Sequence, residues 1–293
     1  MCAVSKTFVK RAFKYRFYPT EVQAAELSRT FGCVRLVYNM ALEARTTAWS
    51  CERRRVTYSE TSAMLTVWKK TEALGFLRDV SSVPLQQALR HLHGAFGNFF
   101  ANRACHPRFK SRKKSRASAE YTRSAFRWRD GRLSLAKMAE PLAIVWSRPL
   151  PEGSEPSTVT VSRDSVGRWF VSMLVETSVD HHAPIASVVG LDVGLSALVT
   201  LSTGEKITNS QQEKKCRERL ERAQRALARK QKGSANRQKA RRRIARLSAR
   251  IADRRRDTLH KLSTRLVREN QAIVIEDLNV RGMLRNRSLA RDL

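Results

Sequence analysis

The chain has 293 residues, 42% of them hydrophobic, enough to bury a core and to form one to three domains. Lys and Arg outnumber Asp and Glu by 57 to 26, a net charge of +31, so the field of the whole molecule favours nucleic acid or an anionic membrane. No apolar run approaches the roughly 18–20 residues needed to span a bilayer and the N-terminus lacks an apolar signal core, so a cytoplasmic, nucleic-acid-facing protein is expected, with no membrane or small-molecule partner.

The five cysteines, Cys2, Cys33, Cys51, Cys105 and Cys216, are odd in number and form no C-x-x-C pair. That spacing argues against a disulfide framework and a zinc ribbon. His181-His182 and Cys105-His106 are accordingly read as solvated linker residues rather than ligands.

Along the chain, Phe13 to Tyr18 alternates as a strand does and stops at Pro19-Thr20, where Thr20 can cap a helix over residues 21–30. Residues 21–104 are helical in pattern. Leu27, Phe31, Val34, Val37 and Met40 crowd one face, as do Leu85, Leu89, Leu92, Phe96 and Phe100 later, and Pro84 fits a helix first turn. Residues 108–132 carry ten Lys/Arg against two acids, with Phe109, Tyr121, Phe126 and Trp128 among the charges. Positive charge with aromatic faces suits stacking on nucleotides, although the same aromatics suit a strand core. Arg108, Lys110, Arg112, Lys113, Lys114, Arg123 and Arg127 are the candidate nucleic-acid contacts here. Strand signals follow over residues 132–177, with a hairpin turn at Asp164-Ser165-Val166-Gly167.

After a linker over residues 178–186, a second architecture opens with a buried strand, residues 188–195, and a short antiparallel pair over 197–201 and 206–208. Residues 211–270 then read as two amphipathic helices joined at Gly233, with 22 Lys/Arg against 6 Asp/Glu. Ile244, Leu247, Ile251 and Leu259, Leu262, Leu266 each recur as i, i+3, i+7. Too few acids are present for balanced i,i+4 pairing, so Arg237, Arg241, Arg242, Arg243, Arg254 and Arg255 are read as a phosphate-contacting surface.

Asp192 ends one apolar run, Val188-Val189-Gly190-Leu191-Asp192, and Glu276 another, Ala272-Ile273-Val274-Ile275-Glu276. Each alone also reads as a turn or loop residue. If the two strands are neighbours, both carboxylates reach the same Mg²⁺ ions, about 3.5–4 Å apart in two-metal phosphodiester chemistry. Both are the candidate catalytic and metal-binding residues.

On these motifs the chain resembles the TnpB (OrfB) family of bacterial insertion sequences, over nearly its whole length. The ordered set is Tyr15-Arg16-Phe17-Tyr18-Pro19-Thr20, Phe31 to Asn39, Arg108-Phe109-Lys110-Ser111, Gly190 to Leu195, the stretch around Lys230 to Arg237, and Ile275-Glu276-Asp277-Leu278-Asn279-Val280. The resemblance implies an α+β multidomain fold. A wedge-like β-barrel domain, residues 1–19 and 106–180, holds an inserted helical recognition domain, residues 20–105, with a helix-turn-helix-like start. A RuvC, RNase H-like domain, residues 187–293, carries the basic helical insert 211–270. It implies an RNA-guided DNA endonuclease associated with transposition, with guide RNA and target DNA as partners and Mg²⁺ held by Asp192 and Glu276.

Family members run on beyond the position of Leu293 to a zinc ribbon and a third catalytic Asp, which Asp292 is not expected to replace. The expectation is therefore a truncated chain that binds nucleic acid, holds no zinc, holds Mg²⁺ weakly, and cleaves poorly or not at all. A guided binder or repressor that does not cut, and a non-specific polyanion-binding remnant, are the competing expectations.

Overall fold

The computed structural model describes residues 7–113, 115–179, 185–194, 197–208 and 211–285, with the side chains of 211–215, 280, 281 and 284 not described. Two units divide the chain, residues 1–181 and 182–293.

In the first unit, β1 (Thr7–Phe17) leads into α1 (Glu21–Glu52). The entry is a capping box: the Gln23 N–H donates to Thr20 Oγ1 at 3.2 Å, and the Thr20 N–H donates to Gln23 Oε1 at 3.2 Å. The helix expected to end at Thr30 instead runs unbroken for 32 residues, through Gly32, until Arg53 closes it in the left-handed region at φ 51°. Next come α2 (Tyr58–Trp68), a 3₁₀ segment (Glu72–Arg78) and α3 (Ser82–Phe100), with Pro84 in its first turn.

The chain then returns to strands: β2 (Ala117–Thr122), β3 (Phe126–Arg129), β4 (Arg132–Leu135), β5 (Ile144–Val145), β6 (Pro156–Arg163) and β7 (Trp169–Val179). β3 and β4 form a hairpin whose two-residue turn, Asp130-Gly131, has positive φ at both positions, as a primed turn needs. The β6–β7 turn is built by Asp164, whose Oδ1 accepts from the N–H groups of Val166 and Arg168 at 2.9 and 2.8 Å. A curled antiparallel sheet results, in the order β2-β6-β7-β1-β5, with β1 paired to β7 over its full length.

Alternate residues point inward: Tyr15, Phe17, Tyr121, Val159, Val161, Val171 and Met173 are all buried. Leu27 and Phe31 from the start of α1 complete that core, and Phe31 stacks on Trp169 at 5.8 Å. The later part of α1, with Val37, Ala41 and Leu42, instead packs with Leu65, Leu77, Leu85, Leu89 and Leu92. One helix is thus the spine of both cores.

In the second unit, β8 (Val188–Asp192), β9 (Val199–Leu201) and β10 (Lys206–Ile207) precede α4 (Gln211–Ala228) and α5 (Ala235–Glu269), and then β11 (Ala272–Ile275) and α6 (Val280–Arg285). The sheet order is β10-β9-β8-β11, antiparallel except for the β8–β11 pair, which is parallel. Leu262 and Leu266 of α5 cover one face, against Val189, Leu191 and Ile273. The strand expected to be buried throughout is not: in β8 only Val189 is fully buried, and in β11 Val274 and Ile275 are mostly exposed. No helix among the described residues is long and apolar enough to cross a membrane.

Phe31→Ala is expected to destabilise the first unit by about 3–5 kcal/mol, since it removes a buried ring from the seam between α1 and the sheet. Urea unfolding followed by circular dichroism measures this. A loss below about 1 kcal/mol would show that the seam does not depend on this ring.

Candidate metal centre and nucleic-acid interface

The geometry around Asp192 begins with a register. In the parallel pair, Ala272 lies opposite Val188, Ile273 opposite Val189, Val274 opposite Gly190 and Ile275 opposite Leu191. The ladder ends there, one residue short of Asp192 and Glu276, so both carboxylates lie at the same end of the paired strands. Asp192 follows the alternation of β8 and falls on the face opposite the one covered by Leu262 and Leu266; continued alternation past Ile275 would put Glu276 on that face too. Gly190, two residues before Asp192, lies on the carboxylate face. Its N–H donates to Ser202 Oγ at 3.0 Å, and a Cβ there would meet Ser202 Cβ at 3.4 Å.

What fixes the register lies at the other end of the strands. Gln271 donates its N–H to the Ser187 carbonyl at 2.8 Å, and the Ser187 hydroxyl donates to Asn270 Oδ1 at 2.8 Å. Asn270 Nδ2 in turn donates to the Leu266 carbonyl at 3.0 Å, closing the last turn of α5. The end of the long helix and the starts of both strands are therefore tied in one small network. A slip by one residue would turn Glu276 to the opposite face.

Asp192 and Glu276 are both exposed. No third His, Cys, Asp or Glu gathers with them among the described residues. Two hard oxygen donors at one end of the strand pair suit Mg²⁺, which keeps several waters and is held by one or two carboxylates together with substrate phosphate. The residues present fit that ion as partial ligands.

The basic candidates divide by what they touch. Arg108, Arg112, Arg127, Arg241, Arg242 and Arg243 are exposed, as are Lys113 and Arg255. Lys110 is different: its ammonium lies 3.9 Å from the centre of the Tyr38 ring, and burial lowers its pKa. Its backbone is clamped to α1 on both sides, because Asn39 Nδ2 donates to the Lys110 carbonyl at 2.9 Å and Oδ1 accepts from its N–H at 2.8 Å. Arg123 pairs with Glu155. Arg237 donates to the carbonyls of Leu227 and Lys230 at 3.3 and 2.7 Å, at the C-terminal end of α4, and Arg254 donates to Cys216 Sγ at 3.0 Å. Between α4 and α5, a cleft of ≈ 450 Å³ sets Arg219, Arg222 and Arg243 around an Ala223, Ala226 and Leu247 floor. Arg219 and Arg222 were not among the sequence candidates, although they lie in the same basic run. Lys114, His181, His182 and Asp292 lie outside the described residues.

Of the aromatics expected to stack on nucleotides, Tyr121 is core at 1% exposure, and Phe126 and Trp128 pack against the same core. Phe109 alone of the four is mostly exposed. His106 is exposed, and its ring also meets Phe96 and Phe99 edge-on at 5.4 and 5.2 Å.

A strand-borne carboxylate pair beside a long basic helical insert, with a helix-bearing curled sheet preceding it, is the organisation of a nucleic-acid-processing protein. The chain belongs to the OrfB family of IS605-type elements. Residues 170–287 match the family model described as "Probable transposase", and residues 7–54 match its "Helix-turn-helix domain". In this structure that second stretch is a strand and one continuous helix, with no turn between helices. A Streptomyces pristinaespiralis protein named "Putative RNA-guided DNA endonuclease" is 70% identical over 97% of this chain and 70% of its own length. The Escherichia coli K12 protein of the same description, InsQ, is 36% identical over 93% of this chain and 67% of its own. The fold is shared with the protein of the Cas12f1–sgRNA–target DNA complex, at a TM-score of 0.52 and 10% identity, over 92% of this chain and 81% of that one.

Removing the register network should act on the carboxylates without touching them. Asn270→Ala is expected to weaken Mn²⁺ binding, read by electron paramagnetic resonance, by about tenfold, as loss of a group that orients ligands does. Asp192→Ala should weaken it at least as much. Unchanged binding in both variants would remove the carboxylate pair as a metal centre.

Proposed function

We propose that this chain acts as an RNA-guided DNA-binding protein of an insertion sequence, and that Asp192 and Glu276 hold Mg²⁺ for cleavage of the bound DNA. The observation that supports the reading is the parallel β8–β11 register, which brings the ends of the two strands that lead to Asp192 and Glu276 together within a unit whose insert is strongly basic. The two relatives' names and the family support the guided, endonucleolytic part. On this reading residues 1–19 and 106–180 form the wedge, residues 20–105 the recognition part, and residues 187–293 the RuvC-like part with its insert.

The roles of the side chains follow from their chemistry. Asp192 and Glu276 bring negative charge to a site that must hold a phosphodiester, which requires a cation between them and the substrate. Mg²⁺, when bound, supplies charge that stabilises the attacking and leaving oxygens. Exposed guanidinium groups on α5 neutralise backbone phosphates without reading sequence, so they set affinity and orientation. The clamped loop from Arg108 to Lys113 offers further cations at a fixed place against α1. Sequence choice falls to base pairing between guide and target, while the protein holds the duplex by shape and charge.

The test begins with the protein purified through a high-salt wash. A defined RNA with a constant part and a variable end is expected to remain bound, and a plasmid matching the variable end is expected to be bound, with any Mg²⁺-dependent cut lost in Asp192→Ala. A mixture of cellular RNA that washes off as salt rises would overturn guided recognition. A cut that persists in both Asp192→Ala and Glu276→Ala would overturn the metal assignment.

A further inference from the structure

Where α1 ends, the left-handed cap at Arg53 turns the chain back, and Val56, buried at 3% exposure, lines the space beside it. Between this loop, the last turns of α1 and the end of α3 lies a cavity of ≈ 310 Å³. Its walls are aromatic: Trp49, Phe96, Phe99, Phe100 and His106. Phe96 and Phe100 are near-parallel at 26°, with centroids 6.1 Å apart. Trp49 and Phe100 leave 46% and 58% of their surfaces exposed, so flat ring area faces solvent at the cavity.

The polar groups here are mainly guanidiniums. Arg45 lies 4.4 Å over Phe96 and Arg55 5.2 Å over Phe100, and Arg54 is shared between Glu52 and Glu60. Arg45, Arg54 and Arg55 all line the space. An apolar protein side chain would be served by the rings but has no use for the cations. A nucleotide uses both, since its base has a π-face and its phosphate an anion. The volume is at the small end for a ligand site, which suits one base rather than a duplex.

We propose that this cavity takes one unpaired nucleobase of a single strand, stacked on Trp49 and Phe100, with Arg55 meeting the adjoining phosphate. The proposal rests on the nucleic-acid reading above and adds a site separate from the basic loop at residues 108–113 and from the α4–α5 insert. RNA and DNA strands share the chemistry that the cavity would read.

The experiment measures equilibrium binding of short single strands, as RNA and as DNA, across a salt series. Each strand is paired with an abasic strand of the same length and charge. For the full chain the complete strand is expected to bind about tenfold more tightly than the abasic one. Trp49→Ala and Phe100→Ala should each lose about that factor on the complete strand, with the salt slope unchanged, and lose nothing on the abasic strand. Arg55→Gln should instead lower the salt slope by about 0.7, the value for one phosphate of a single strand. Both rings are partly exposed, so if one variant unfolds the other carries the test. The type of strand that shows the base-dependent loss identifies the source of the base. Equal binding of complete and abasic strands, or equal losses on both in the variants, would overturn the cavity as a base site while leaving nucleic-acid binding intact. No binding of any strand by the unmodified chain would overturn both readings.

Discussion

The second unit depends on a set of hydrogen bonds that involves neither carboxylate, the ties among Ser187, Asn270, Gln271 and the Leu266 carbonyl. A parallel strand pair has no tight turn to set its register, so the crossover must do so. Here the crossover ends in a 35-residue helix, about 50 Å long, and a small angular error at one end would displace the other by several ångströms. Asn270 corrects for that length at the point where it matters. Its side chain closes the helix and its neighbour Gln271 leads into the strand, so that β11 runs in step with β8 as far as Ile275 beside Leu191.

The long helix also divides its own labour. It runs beside α4 as far as its middle, where Arg254 reaches Cys216, and its last turns lay Leu262 and Leu266 on the sheet. Only Leu266 of the whole helix is fully buried. Such a helix gains little from burial and would be marginal alone, so its stability must come from the two places where it is packed. That leaves most of its thirteen Lys and Arg in water. In the first unit α1 plays a comparable part with the opposite balance: it is buried in two different cores, around Leu27 and Phe31 and then from Cys33 to Leu42, and makes the sheet and the helices one body.

The apolar patterns made most elements legible. The β6–β7 hairpin, the start of α1 and the break at Gly233 follow from alternation, a capping residue and a turn glycine, all of which are local. The break expected after Thr30 failed because the hydrophobic stripe simply changes partner there, from Trp169 to the α3 leucines, and a single helix serves both. Tyr121 could not be told from a stacking aromatic by its basic neighbours, since alternation puts every second residue of β2 inside. The carboxylate pair was legible only as a condition, that two strands 80 residues apart be neighbours; pairing order is a long-range fact that no local pattern contains. The aromatic cavity escaped altogether, because residues 45–56 and 96–106 come together only when α1 and α3 pack.

Charge and fixed geometry supply different things to the proposed function. The insert between residues 211 and 270 holds 22 of the 57 Lys and Arg, and exposed cations bind any polyanion, more weakly as salt rises. They cannot prefer one nucleic acid to another. Preference requires groups whose positions are held independently of the ligand. Lys110, clamped through its backbone to Asn39 and laid on Tyr38, has given up part of its freedom and of its hydration for such a position. Arg45 and Arg55 are likewise set on phenylalanine rings, Arg45 partly buried and Arg55 at the surface. A cation already stacked loses less entropy when a phosphate arrives and can meet only one placed at a particular distance from the ring. Discrimination by the protein itself is therefore expected from these few ordered groups in the first unit, while the far larger charge of the insert supplies affinity.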